Sequence, residues 1–280
     1  MGIKIGLDIG GSTTKIVGIR DNGIFYTSIV RSDDPVASAA GAVGKLISDN
    51  NLAVSDIDCI YLTGVGSGYS DNPILGIRTV KIEEFTAIAT GGLYVSGKDH
   101  AVIVSMGTGT AILEAVRKDG KILARHIIGS GVGGGTLVGL CNSAIGIDDP
   151  KVLARLADEG DAGKADLTIA DITDEEIPGL PLTATASNFG KAADGLDRED
   201  IAAAVFNMVH QVIGCLAVVS ARSCGISDIV LTGQLTGFNW CRKTAEDFSS
   251  MYGVDFQIPA NAVYSTAIGA YIAGREDSEA

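Results

Sequence analysis

Cationic and aromatic residues are the scarce components of this 280-residue chain, which has 21 Lys and Arg against 34 Asp and Glu, a formal net charge of −13, 5% aromatics and one tryptophan. That charge repels phosphate backbones and anionic lipid, which argues against broad nucleic-acid or membrane-surface binding. An anionic ligand must be held locally, by backbone N–H groups, a lysine or a metal ion. Cysteine is sparse and poorly placed for cross-linking: the thiols at 59, 141, 215, 224 and 241 are odd in number, with no C-x-x-C and no nearby histidine pair. Neither a disulfide framework nor a zinc site is indicated. The longest apolar run, within "VIGCLAVVSA" (212 to 221), falls short of the roughly 20 residues of a membrane helix. A secretory signal would place a basic region before an apolar stretch, whereas a strand pattern and an aspartate arrive here by residue 8. A cytoplasmic protein is expected, with neither nucleic acid nor membrane as partner. What the chain has in quantity is hydrophobic residues, 46%, enough for the core of one large or two ordinary domains.

Apolar periodicity predicts strands at 3–9, 14–20 and 24–30, the last two joined by "DNG", a hairpin signal. A helix is predicted over 33–50, with an aspartate cap and Pro35 near its first turn, then a strand at 58–64. The order is βββαβ. It recurs in "AVIVSMGTGTAILEAVRKDGKILARHII" (101 to 128), which reads as strand, Gly/Thr turn, strand, "KDGK" turn, strand. In this second copy an insertion of about 134–196 precedes a helix at 198–225 and a strand at 228–233. A helix (238–250), a short strand near 254–257 and a helical tail (262–274) follow. Two copies of one unit place two glycine turns on opposite sides of a single cleft, a favoured ligand position. No low-complexity linker separates the copies, and the boundary falls between about 80 and 100.

The first turn, in "IGLDIGGSTTKIVGI" (5 to 19), matches neither G-x-x-x-x-G-K-[ST] nor G-x-G-x-x-G followed by a helix. It joins strand to strand, so Gly10, Gly11, Ser12, Thr13 and Thr14 can present N–H and O–H groups to phosphate oxygens. Asp8 could hold a hydrated Mg²⁺ through water, and Lys15 could supply a point charge. A plain hairpin with a solubilising aspartate and lysine would look the same, but the second turn, "MGTGT" (106 to 110), weakens that reading. "GSGVGG" (129 to 134) does match G-x-G-x-x-G, yet it follows the last strand of a meander and lacks a clear β return. It reads instead as a glycine-rich helix N-terminus receiving phosphate on its backbone N–H groups. "VLTGQLTGF" (230 to 238) repeats the strand-end glycine. In "VKIEEFTAIATGG" (80 to 92), adjacent Glu83 and Glu84 lie about 100° apart on a helix, so at most one faces the cleft. Two acidic residues complementing the helix dipole would give the same pattern.

These motifs together resemble the superfamily of actin, hexokinase-like sugar kinases and heat-shock chaperones, and within it the type II (eukaryotic-like) pantothenate kinases. "GLDIGGSTTKIV" and "SMGTGTAI" are similar to that family's two phosphate loops, "EEFTA" to its E-[LF]-[DT] region and "GVGGGTLVGLC" to its GGGT segment. The most specific matches are "ADEGDAGKADLTIADI" (157 to 172) and "TASNFGK" (185 to 191). The resemblance runs over nearly the whole chain. It implies an α/β fold, the duplicated actin-like ATPase (ribonuclease H-like) fold, with domains at 1–90 and 91–280 around an ATP cleft, the second with a helical insertion at about 134–196.

The implied reaction is Mg²⁺-dependent phosphoryl transfer from ATP to the primary hydroxyl of pantothenate, the first step of coenzyme A biosynthesis, by a homodimer. By the same resemblance Glu84 is the base. ATP is held by Asp8, Gly10, Gly11, Ser12, Thr13, Lys15, Gly107, Thr108, Gly109, Thr110, Gly133, Gly134, Gly135, Gly233 and Gln234, and the acceptor by Glu84, Arg125 and Gly131. The family's substrate-contacting arginine falls, by spacing, on His126, one place after Arg125. Strand alternation puts those two side chains on opposite faces unless a bulge intervenes. Arg125 is preferred because a guanidinium can bind a carboxylate bidentately. Three alternatives remain: a kinase of pantetheine or another hydroxylated small molecule, a non-catalytic nucleotide-binding or regulatory protein, and an ATP-dependent activator of 2-hydroxyacyl-CoA dehydratases, whose first loop is also similar to "DIGGSTTK". Those activators use paired cysteines to bridge an iron–sulfur cluster, and only Cys141 lies in a comparable region here.

Overall fold

The computed structural model describes residues 2–21, 23–31, 34–69, 72–175, 177–191 and 195–279. Asn22 of the expected "DNG" turn lies outside them. Antiparallel strands β1 (Ile3–Ile9), β2 (Thr13–Arg20) and β3 (Gly23–Arg31) lead into helix α1 (Pro35–Asp49); β4 (Ile57–Thr63) and β5 (Thr79–Lys81) then add in parallel, giving the order β3-β2-β1-β4-β5. Helix α2 (Glu84–Ser96) connects to a second meander, β6 (His100–Met106), β7 (Thr110–Lys118) and β8 (Lys121–Ser130). Next come α3 (Gly134–Ile145), α4 (Pro150–Glu159), the strand pair β9 (Leu167–Thr168) and β10 (Thr185–Ser187), and the long helix α5 (Arg198–Cys224). Strand β11 (Asp228–Thr232), helix α6 (Asn239–Tyr252), strand β12 (Asp255–Gln257) and helix α7 (Ser265–Glu279) close the chain. The second sheet, β12-β11-β6-β7-β8, repeats the first strand for strand.

Alternation in the sequence becomes two differently covered faces. Ile3, Ile5, Leu7 and Ile9 pack with Ala39, Ala42, Val43 and Leu46 of α1, whose first turn is capped by the Asp34 carboxylate accepting from the Ala37 N–H at 2.7 Å. Strand β5 escapes periodicity because three residues are too few to alternate, and the insertion is only partly helical because β9 and β10 form a ribbon of their own. Helix α5 has the length and apolarity of a membrane span, but Phe206, Val209, Ile213 and Ala217 are buried against the second sheet. Strand β8 lies at a sheet edge with no parallel strand beside it, so "GSGVGG" belongs to no βαβ unit.

The last helix of each unit covers the sheet of the other. Ile88, Ala89 and Leu93 of α2 pack on Ile103, Leu113 and Val230, whereas Ala267, Ile268 and Tyr271 of α7 pack on Val17, Ile19, Cys59 and Tyr61. The two helices cross backbone to backbone: a Cβ on Gly91 would lie 2.0 Å from the Ser265 carbonyl oxygen, and one on Gly269 would lie 1.9 Å from that of Ala87. The position 90/91 expected as a domain boundary lies within α2.

Candidate active site

Asp8 and Lys15 are direct cross-strand partners at the open ends of β1 and β2, and their side chains meet at 3.2 Å. Both residues are buried, at 7% and 5% exposure, so this ion pair is desolvated and depends on its geometry. The turn between the strands is tied by the Gly10 N–H donating to the Thr13 carbonyl at 3.1 Å.

Glu83 and Glu84 part company at the start of α2. Glu83 is the cap: its carboxylate accepts from the N–H groups of Phe85 and Thr86 at 2.9 and 2.6 Å and from the Thr86 hydroxyl at 2.9 Å. Burial works to raise its pKa, but those hydrogen bonds together hold the carboxyl below the ordinary glutamate value. Glu84 has no such commitment. It is half-buried, and burial first, then the negative charges of Asp8 and Glu83, raise its pKa, with Lys15 offsetting part of the rise. Glu84 is thus the carboxyl in electrostatic contact with the Asp8–Lys15 pair, with the elevated proton affinity of a base.

The second turn faces the first, and the Ser12 and Thr108 hydroxyls meet at 2.9 Å. The N–H groups at the start of α3 do not point out toward a ligand, contrary to the expectation for Gly133, Gly134 and Gly135. Gly134 and Gly135 donate to the carbonyls of Gly107 and Thr108, both at 2.9 Å, and the Gly133 N–H turns to the Thr136 hydroxyl at 3.3 Å. The glycines instead let α3 lie against the turn, since a Cβ on Gly133 would come within 2.6 Å of the Thr108 carbonyl oxygen. The Gly107 N–H closes the turn on the Gly109 carbonyl at 2.8 Å, and the Thr110 hydroxyl donates to the Val132 carbonyl at 2.8 Å. At the end of β11, Gly233 abuts the Met106 backbone, and Gln234 follows with a buried, unpaired Oε1.

The structure places Arg125, the residue preferred for the acceptor, and His126 in different surroundings. The bulge on β8 falls after His126, so neighbouring Arg125 and His126 keep opposite faces. Arg125 pairs with Glu114 through Nε at 2.8 Å and lies 3.3 Å from the Cys224 Sγ on α5. His126 shares the α2 face and stacks on Phe85, with ring centroids 4.8 Å apart and planes 11° apart. His126 is next to Phe85 and thus lies one residue from Glu84. Gly131 is exposed, and its carbonyl accepts from the Thr136 hydroxyl at 2.9 Å. Sequence reasoning also missed Thr63, in register with Asp8 on β4; its signal was the tripeptide Leu-Thr-Gly at both 62–64 and 231–233.

The family-specific segments form a polar clamp. Buried Asp166 accepts from the Phe189 N–H and the Asn207 amide, both at 2.7 Å, fastening 185–191 to α5. Cys141 lies in the core, where burial pushes its thiol up to about 11.

A family model described as Fumble matches residues 100–245. The type II pantothenate kinase of Staphylococcus aureus strain MRSA252 is 30% identical over 284 residues, covering 98% of this chain and 100% of the relative; that of strain USA300 is 30% identical over 279 residues, covering 96% and 98%. Among solved structures, the activator of 2-hydroxyisocaproyl-CoA dehydratase from Clostridium difficile with bound ADPNP superposes with a TM-score of 0.65 at 18% identity, covering 99% of this chain and 98% of that one. Component A of the Acidaminococcus fermentans (R)-2-hydroxyglutaryl-CoA dehydratase gives 0.68 at 17% identity, covering 100% of each chain. At such identities these two structures establish the fold, that of the actin-like ATPases.

Proposed function

Because the chain belongs to the type II pantothenate kinase family, we propose that this kinase transfers the γ-phosphoryl group of ATP to the primary hydroxyl of pantothenate, giving 4′-phosphopantothenate. The observation that carries the reading is Glu84, an uncapped carboxyl of raised pKa beside the Asp8–Lys15 pair. Glu84 accepts the hydroxyl proton as the new P–O bond forms and the bond from the γ-phosphorus to the β–γ bridging oxygen breaks, releasing ADP, and Lys15 leaves Asp8 to meet the phosphate. The backbone at Gly11, Thr108 and Gly109, with the hydroxyls of Ser12, Thr13 and Thr108, lines the triphosphate, while the Gly10 and Gly107 N–H groups close their own turns. Thr110 and Gly133–Gly135 hold the second turn in shape, and Gly233 and Gln234 border the nucleoside.

No three His, Cys, Asp or Glu residues converge among the described residues, and Asp8 is the one carboxylate in the segments 8–15 and 105–111 that carry the two glycine turns. That donor set suits Mg²⁺, which retains several waters and needs only one or two carboxylates beside phosphate oxygens. When bound, the ion would neutralise phosphate charge, and Asp8 would hold it through water. His126 and Phe85 form the wall the acceptor meets, with Gly131 near its edge, while Arg125 ties β8 to β7 through Glu114. We place the enzyme in the cytoplasm as a homodimer, whose seam includes the exposed Cys215 and Val219 of α5; light scattering should return twice the chain's mass. An activator role would need accessible paired cysteines, whereas Cys141 is buried.

A coupled ADP-release assay with pantothenate, pantetheine and a panel of sugars tests the proposal. Turnover dependent on pantothenate is expected, and its absence overturns the assignment.

A further inference from the structure

Three side chains stand abreast on one face of the first sheet, because Asp8 pairs in register with Lys15 on β2 and with Thr63 on β4. Lys15 holds the Asp8 Oδ2. Thr63 is wholly buried, at 0% exposure, and its hydroxyl has no hydrogen-bond partner in the described structure. Gly64, next in sequence, runs so close to Asp8 that a Cβ there would lie 2.7 Å from Oδ1, the carboxylate oxygen Lys15 does not hold. A buried hydroxyl without a partner is costly and calls for a reason.

The duplicated unit contains a control. Thr232 occupies the same place on β11, in register with Ser105, and is followed by Gly233. Gly64 and Gly233 have nearly the same backbone, at φ +95° and +91°. Yet the Thr232 hydroxyl donates to the Val104 carbonyl at 3.4 Å. The hydroxyl lacks a partner only in the copy that carries the aspartate.

We propose that Thr63 is a positioning residue: when a bound triphosphate draws Lys15 away, the Thr63 hydroxyl donates to the Asp8 carboxylate and keeps it aimed at the phosphates. One polar group replaces another on Asp8, so the carboxylate stays paired in both states. This rests on the kinase reading of Asp8 and Lys15 but not on the identity of the acceptor.

The test is Thr63→Val, which keeps the shape and removes the hydroxyl. Without nucleotide the variant should melt at a higher temperature than the parent, because it no longer buries an unpaired hydroxyl. With saturating ATP and Mg²⁺ its gain in melting temperature should be smaller than the parent's, and in an Asp8→Asn background the substitution should leave that gain unchanged. With a turned-over acceptor, KM for ATP should rise about tenfold with kcat changed less than about twofold, the size expected for one hydrogen bond to a charged group that already forms when nucleotide binds. Thr63→Ser should restore the parent's behaviour. A lower melting temperature without nucleotide, or a nucleotide-induced gain equal to the parent's, overturns the proposal. The melting measurements need no acceptor, so a wrong acceptor would leave them readable.

Discussion

The two strand-end turns occupy equivalent places in equivalent sheets and have opposite chemistry. The first carries Asp8 and Lys15; their counterparts by register in the second are Ser105 and Ala111. Its side chains are charged and paired with each other. Apart from the Thr108 hydroxyl, which meets Ser12, the second turn directs its polar groups at itself and at the segment entering α3, through Gly107 to Gly109, Gly134 to Gly107, Gly135 to Thr108 and Thr110 to Val132. Duplication has preserved the scaffold while charge collects in one copy and stiffness in the other. Such a division suits phosphoryl transfer, in which a mobile charged side completes its geometry against a fixed one.

The sharpest way to break the comparison is at Glu84. Glu84→Gln should lower kcat by about 10²–10⁴-fold, the range of a lost general base, with ATP binding by calorimetry unchanged. The same substitution has a signature in stability. Folding raises the Glu84 pKa above the ordinary glutamate value, so the protonated form is favoured, and the associated stability is present at low pH and lost as pH rises through the folded value. Glu84→Gln should therefore raise the melting temperature near pH 8 and leave it unchanged below about pH 4.

Next in size is the buried pair. Lys15→Met should leave Asp8 buried without its cation and reduce stability by about 3 kcal/mol in denaturant unfolding. Adding Asp8→Asn should recover most of that loss and none of the activity. The second turn should respond differently. Gly133→Ala drives a Cβ into the Thr108 carbonyl and should cost about 1–3 kcal/mol of stability while raising KM for ATP. At Gly107 the nearest atom to a new Cβ is 3.8 Å away, so Gly107→Ala should fold as the parent does and affect only nucleotide affinity, measured by titration. The smallest effect belongs to Glu83→Gln, expected to reduce stability by about 1 kcal/mol as a weakened cap with kcat nearly unchanged. Equal loss of turnover from Glu83→Gln and Glu84→Gln would reverse their roles.

The fold was legible because the strands alternate and the turns announce themselves. Ile3, Ile5, Leu7 and Ile9 read as one face of a strand, and the "KDGK" turn appears as Asp119 and Gly120, with φ of +51° and +76°. Elements of two or three residues, such as β9 and β5, have too little sequence to carry a period. At the site, the residue types were readable and their commitments were not. The glycines at 133–135 suggested donors to an outside ligand, but a carbonyl more than twenty residues away takes each N–H of Gly134 and Gly135. Arg125 was the better chemical match to a carboxylate, yet Glu114 across the sheet already engages it. The choice between Glu83 and Glu84 turned on which side chain folds back over its own helix, a local event that residue type alone leaves open.

The exchange of α2 and α7 governs how the molecule comes into being. On the ribosome the first sheet emerges early, but the helix that covers Val17, Ile19 and Tyr61 is made only after the whole second sheet. Until Ser265 and the residues after it are released, that face has no cover from within its own half. A chain terminated just before α7 would leave that face of the N-terminal half bare, although the cut lies in the C-terminal half.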